Sequence, residues 1–86
     1  MKYIVYVIQS IKTGRRYIGY TSDIDKRIKE HNQGINISTR NKGPWKLIYQ
    51  ESGFTSRTTA LQREKEIKKM KGGIQFKKLL EACLNN

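Results

Sequence analysis

One glutamate in a helical segment stands where an apolar residue is expected. In the segment 57–71, Glu64 follows Ala60 by four residues and precedes Ile67 by three. A helix turns about 100° per residue, so Glu64 falls on the apolar face. A buried carboxylate without a partner is costly and needs a cation beside it. Glu64 is therefore either a metal ligand or half of a structural ion pair, for which Arg27 is the candidate partner.

An arginine and the single histidine of the chain occupy a similar position in an earlier segment. Ile24 and Ile28 define an apolar stripe there, and His31 lies about 20° and Arg27 about 60° from Ile24 in projection. Arg27 and His31 are four residues apart, which makes them neighbours on one side of a helix. Arginine can grip an anion with two donors, and histidine can exchange a proton near neutrality. The alternative is a histidine that is merely packed at the edge of the core.

Two tyrosines belong to strand-like segments. Period-2 alternation places Tyr6 on one face with Ile4 and Ile8, and it places Tyr17 with Gly19 on one face of the next strand. A glycine in mid-strand removes a side chain where another group approaches closely. A tyrosine hydroxyl can hold or activate a water molecule, although most strand tyrosines serve only as good β-formers.

The charge balance indicates a polyanionic partner. Eighteen lysines and arginines stand against seven aspartates and glutamates, a net charge of +11 in 86 residues. Nucleic acid is the first candidate, since phosphate binding is the commonest use of such a charge, and an anionic membrane surface is the second. No apolar run is long enough for a membrane span. A single cysteine and the lack of a signal-peptide pattern predict a cytoplasmic protein.

The chain is short enough for one domain, residues 1–86, with one modest core. Apolar alternation predicts strands over 3–9, 15–20 and 46–51, with a turn at Lys12–Gly14 that makes the first two strands an antiparallel hairpin. A hydroxyl N-cap at Thr21 or Ser22 opens a helix that runs to about Asn32. A loop follows over 33–45. Two further helices are predicted over 57–71 and 74–84. The order β-β-α-β-α-α predicts an α/β domain with a small sheet that is at least partly antiparallel.

Together these residues resemble the GIY-YIG nuclease superfamily, in particular its small stand-alone bacterial branch, similar to the N-terminal domain of the excinuclease C subunit. The resemblance extends from Tyr3 to about Leu80. The first signature segment corresponds to Val5-Tyr6-Val7, and the second is intact as Tyr17-Ile18-Gly19. The run 25–32 matches the arginine helix of the family, and the run 60–68 matches its glutamate helix.

The resemblance implies a fold, an activity and a site. The fold is α+β, a three-stranded antiparallel sheet flanked by three helices, and the activity is metal-dependent cleavage of phosphodiester bonds. Glu64 would bind one divalent ion, Mg²⁺ or Mn²⁺, and Arg27 would bind the scissile phosphate. Tyr17 would hold and activate the attacking water, with Tyr6 and His31 supporting or sharing that role.

Two functional classes follow. The first is a DNA endonuclease, structure-specific or related to DNA repair, and the alternative is a non-catalytic nucleic-acid-binding module with the same fold. DNA is expected ahead of RNA, a protein partner could supply targeting, and no membrane partner is expected. Backbone phosphates would be contacted by five basic residues: Arg40, Lys42, Lys46, Lys68 and Lys69.

Overall fold

The computed structural model describes residues 2–34, 43–70 and 73–84, with the backbone alone for 82–84. Three strands and three helices follow one another in these ranges, which confirms the predicted order β-β-α-β-α-α. The elements are β1 (Tyr3–Ser10), β2 (Arg16–Thr21), α1 (Ile24–Asn32), β3 (Trp45–Phe54), α2 (Arg57–Met70) and α3 (Ile74–Leu84). No helix in the described part of the chain is both long and apolar enough to cross a membrane.

The three strands form an antiparallel sheet, as predicted. Their order in the sheet is β2-β1-β3. β1 lies in the centre and is buried without interruption from Val5 to Ile8. Because side chains alternate between the two faces, Val5 and Val7 join the core that includes Ala60 of α2 and Phe76 of α3. Tyr6 and Ile8 point to the other face, where they pack with Trp45 and the isoleucines of α1.

The turn between β1 and β2 lies where the sequence predicts it, and Gly14 adopts a φ of 76° there. β3 is longer than predicted, because it begins at Trp45 and continues to Phe54. Gly53, two residues beyond the predicted end of the strand at 51, has a φ of 92° and lies at a register shift opposite the segment from Tyr3 to Val5. A glycine at positive φ absorbs an extra residue as a β-bulge, so the strand pairing can continue past it.

α1 is fixed at both ends by side-chain hydrogen bonds. The predicted N-cap was one residue or two too early: the cap is Asp23, whose carboxylate accepts from the backbone N–H of Lys26 at 3.2 Å. At the other end, Asn32 Oδ1 accepts from the backbone N–H of Trp45 at 2.6 Å, and its Nδ2 donates to the carbonyl of the same residue at 3.3 Å. This pair of bonds ties the end of α1 to the start of β3.

α2 is held against β3 by a half-buried ion pair between Arg63 and Glu51. Arg63 donates from Nε and Nη2 to the two carboxylate oxygens of Glu51, at 2.7 and 2.8 Å. This fork lowers the pKa of Glu51, and burial raises the pKa of Tyr49, whose hydroxyl donates to Glu51, to about 12. A two-pronged contact fixes rotation as well as distance. It therefore sets which side of α2, including the neighbouring Glu64, faces inward.

The tightest feature of the sheet is the crossing of Tyr6 over Gly19. The two residues are paired opposite each other on β1 and β2. An added Cβ at Gly19 would lie 2.7 Å from the hydroxyl oxygen and 2.9 Å from Cζ of Tyr6. The close approach predicted from the glycine is thus confirmed, and any larger residue at position 19 would push the phenol ring out of its place.

Gly19→Ala is expected to destabilise the fold by about 1–3 kcal/mol, because the new methyl group would push the buried ring out of its packed position. Urea unfolding of the variant would show the loss as a lower midpoint. Adding Tyr6→Phe removes the atom nearest to the methyl and should recover part of the stability. An unchanged midpoint for the single variant would contradict the crossing.

Candidate active site

Side chains from β1, β2, α1 and α2 converge on one cavity of about 470 Å³ at the β2 edge of the sheet. Four of the five predicted catalytic residues line it: Tyr6, Tyr17, Arg27 and Glu64. Gly19 lines it too, since its missing side chain gives Tyr6 access. The cavity brings together two phenols, a guanidinium and a carboxylate from segments that are far apart in sequence.

His31, the fifth predicted residue, lies behind the cavity wall instead of lining it. It is 1% exposed, deeper than its predicted position at the edge of the stripe. Its Nε2 is 3.0 Å from the hydroxyl oxygen of Tyr6, and its ring centroid is 5.0 Å from that of Tyr17. Arg27 Nε donates to the same Tyr6 oxygen at 3.4 Å. Tyr6 is therefore held between a buried imidazole and a guanidinium.

Burial changes the proton affinity of both partners in this contact. Burial, together with the smaller effect of the nearby positive charge of Arg27, lowers the pKa of His31 to about 4. Burial also raises the pKa of Tyr6, against the opposing effect of the hydrogen bond from Arg27. Near neutrality the histidine is accordingly neutral and Tyr6 keeps its proton.

α1 presents more residues to the cavity than the predicted Arg27 and His31. Lys26 and Glu30 both line it, and Glu30 pairs with Arg27 Nη1 at 3.5 Å. The reason is the lateral position of the cavity: its wall takes in Asp23 and the positions three, four and seven residues after it, which share one side of a helix. The apolar stripe of α1 identifies the residues that face the core, but not the residues on the side of the helix that borders the cavity.

Glu64 is 8% exposed and reaches the cavity from α2. Its Oε1 accepts from Lys68 Nζ at 3.2 Å, so the expected cation is the lysine one turn along the helix, not Arg27. No group of three or more histidine, cysteine, aspartate or glutamate side chains is arranged to hold a metal in the described ranges. A metal in this cavity would have one buried carboxylate as its protein ligand, with space for water and a phosphate.

Three further residues of the cavity wall were not predicted. Tyr3 and Tyr20 line it as an edge-to-face pair with ring centroids 6.2 Å apart, and Arg57 lines it from the start of α2. Position 57 is two helical turns before Glu64, a spacing that could have indicated a shared face. The cations and the acids of the wall are equal in number: Lys26, Arg27 and Arg57 against Asp23, Glu30 and Glu64.

Of the five predicted phosphate contacts, the structure describes Lys46, Lys68 and Lys69, and these three do not line one cavity. Lys46 is exposed and lines a different cavity, between β3 and α3 at the other end of the sheet. Lys69 is exposed on α2, and Lys68 is paired with Glu64. Arg40 and Lys42 lie outside the described residues.

The chain is similar in sequence to known proteins. The family model of the GIY-YIG catalytic domain matches residues 2–78. A UPF0213 protein of Staphylococcus saprophyticus is 43% identical over 68 residues, which is 78% of this chain and 80% of that protein. A UPF0213 protein of Halalkalibacterium halodurans is 39% identical over 69 residues, or 79% of this chain and 71% of that protein.

A solved structure is also similar. The solution NMR structure of a UPF0213 protein from Bacillus halodurans is 34% identical, covers 88% of this chain and 92% of that chain, and superposes with a TM-score of 0.47. The names of these relatives state no activity. The family model spans most of the chain, and the chain therefore belongs to the GIY-YIG family of nuclease domains, which act on nucleic acid.

Proposed function

We propose that this protein is a divalent-metal-dependent endonuclease that hydrolyses phosphodiester bonds in DNA, with a structured or repair-related substrate. The observation that carries the proposal is the convergence of Tyr6, Tyr17, Arg27 and Glu64 on one cavity. Each of these side chains has a chemical task in phosphodiester hydrolysis.

Arg27 is the proposed phosphate-binding residue. Its recorded contacts use Nε toward Tyr6 and Nη1 toward Glu30, and both are long, at 3.4 and 3.5 Å. A guanidinium has five N–H donors in a planar fork, so donors remain for two phosphate oxygens. As the reaction proceeds, charge grows on those oxygens, and a fixed cation stabilises it more strongly than water does.

Glu64 is the proposed ligand of one Mg²⁺ or Mn²⁺ ion. Magnesium prefers oxygen ligands, keeps several waters and is often held by one or two carboxylates together with a substrate phosphate, which fits a single carboxylate beside an open cavity. The bound ion would polarise the phosphoryl group and stabilise the leaving oxygen. The equal numbers of cations and acids in the wall give it no net charge, so two added positive charges would favour a phosphate.

Tyr17 is the proposed holder and activator of the attacking water. Tyr6 is the weaker candidate, because its raised pKa and the lowered pKa of His31 both oppose transfer of the phenol proton to the imidazole. Tyr6 and His31 instead position Arg27 and shape the wall on which Tyr17 lies. The Tyr17 hydroxyl would hold the water in place, and a divalent ion on Glu64 would supply the positive charge that makes such a water easier to deprotonate.

Basic residues outside the cavity would hold the DNA backbone. Lys46 and Lys69 are exposed, and with Arg40, Lys42 and Lys68 they are proposed to contact phosphates without reading sequence. A partner protein is proposed to select the substrate.

Glu64→Gln should reduce metal-supported cleavage at least about a hundredfold, because it removes the charged ligand while keeping the shape of the side chain. The assay uses purified protein with branched, single-stranded and double-stranded DNA in Mg²⁺ or Mn²⁺. Glu66→Gln makes the same change at a mostly exposed position of α2 and should retain activity. If no Glu64-dependent cleavage occurs with either ion, the proposed nuclease activity is wrong, and the alternative of a non-catalytic nucleic-acid-binding module takes its place.

His31 makes folding stability depend on pH between about 4 and 6.5. The pKa of His31 in the folded protein is about 4, below its ordinary value of 6.5. In this interval the unfolded chain therefore binds a proton that the folded chain does not. Stability should fall as the pH is lowered through the interval, by about 3 kcal/mol in total from this group.

Urea unfolding at several pH values checks the effect, with His31→Gln as the comparison. Glutamine retains hydrogen-bonding groups but does not titrate, and carboxylates contribute equally to both proteins. The free energy of unfolding of the wild type should fall more steeply toward pH 4. Parallel curves would show that His31 is not buried in its neutral form.

A further inference from the structure

The ammonium of Lys68 occupies the position of a counter-ion on the proposed metal ligand. Lys68 Nζ lies 3.2 Å from Glu64 Oε1, and the two residues are four apart on α2 with the acid first, the favourable order for a helical ion pair. The partners differ in environment: the Glu64 side chain is 11% exposed, and the Lys68 side chain is 55% exposed. The carboxylate is thus fixed, while the lysine can move into solvent.

A divalent ion and this ammonium compete for the same carboxylate. An ion bound to Glu64 at about 2.1 Å would bring two positive charges within a few ångströms of Lys68. Like charges at that distance repel, particularly where a buried side chain limits screening by water. An ion bound at either carboxylate oxygen therefore weakens the attraction of the ammonium to Oε1, and the flexible lysine stem allows the ammonium to leave.

The same competition links the metal to nucleic acid. Without nucleic acid, a displaced Lys68 loses its partner and gains only hydration. With a phosphate near the cavity, the displaced ammonium has a new anionic partner, so part of the lost interaction is recovered. Any interaction that makes metal binding easier in the presence of nucleic acid must also make nucleic acid bind more tightly in the presence of metal.

We propose that Lys68 neutralises Glu64 in the free protein and moves to a nucleic-acid phosphate when the divalent ion binds, which couples the two binding events. The inference rests on the proposed function, since it takes Glu64 as the metal ligand. In this proposal Lys68 is a positioning residue, because it keeps the affinity for the metal low until nucleic acid is present. An isolated exposed pair would contribute little, but here one partner is a carboxylate that is almost fully enclosed.

The test compares Lys68→Met with Lys65→Met. Methionine keeps an unbranched stem and removes the charge. Lys65 is an exposed lysine on the same helix that neither lines the cavity nor belongs to the proposed DNA contacts. All proteins carry Tyr17→Phe to prevent cleavage while leaving Glu64 and Lys68 in place. Mn²⁺ binding is measured by calorimetry with and without a single-stranded oligonucleotide, and urea unfolding verifies that each variant is folded.

Without oligonucleotide, Lys68→Met should bind Mn²⁺ at least about fivefold more tightly than the parent, while Lys65→Met stays close to it. The oligonucleotide should raise the Mn²⁺ affinity of the parent and of Lys65→Met, and should raise that of Lys68→Met much less. Equal affinities for the two lysine variants, or coupling that survives in Lys68→Met, would overturn the inference alone.

A Glu64→Gln protein separates this result from failure of the proposed function. If Mn²⁺ binds the parent but not Glu64→Gln, the metal site stands and the lysine comparison decides the inference. If Mn²⁺ binds neither, or binds both equally, the proposed metal site is wrong and the role of Lys68 fails with it.

Discussion

The passage of the Tyr6 side chain across Gly19 is the contact on which the rest of the site depends. Only a glycine at that position of β2 leaves space for the phenol, whose oxygen would be 2.7 Å from a Cβ there. In that space the hydroxyl meets Nε2 of His31 and Nε of Arg27. One missing side chain on an edge strand thus allows the central strand to set the positions of two polar residues of α1.

The site also depends on the two layers of the fold meeting at one edge of the sheet. Tyr6 and α1 belong to one face, and Glu64 comes from α2 on the other. The Glu64 carboxylate reaches the cavity only if the rotation of α2 about its axis is fixed. The contact of Arg63 with both oxygens of Glu51 supplies that restraint from the residue next to Glu64. Hydrogen bonds and ion pairs position the site, while the apolar clusters hold the layers.

Much of this arrangement is predictable from residue types and spacing. Glu64 on an apolar face, Gly19 in mid-strand and the pairing of the first two strands are local patterns, and all three are present in the structure. Of the two alternatives for Glu64, the ion pair with Arg27 is wrong, because Lys68, at the ordinary spacing for a helical ion pair, is the partner. The role of Glu64 as a metal ligand stays a prediction. A carboxylate on an apolar face indicates that a cation is near, but not whether that cation comes from the same helix.

Other features depend on distances that periodicity does not contain. A helical projection shows which residues share a face, but not that the cavity lies beside α1, where Lys26 and Glu30 reach it. It places His31 near the core but cannot show that the ring is fully enclosed behind Tyr6. The length of β3 depends on pairing with β1 beyond Gly53, which is a tertiary effect.

The proposed metal site places a divalent ion on Glu64 beside Arg27 and Tyr17, and it can be checked in a crystal structure of the protein soaked with Mn²⁺, with data collected for anomalous scattering. An anomalous peak is expected about 2.1 Å from a Glu64 carboxylate oxygen, inside the cavity that Arg27 and Tyr17 line. A well-ordered cavity with no peak, or manganese bound only elsewhere on the protein, would contradict it.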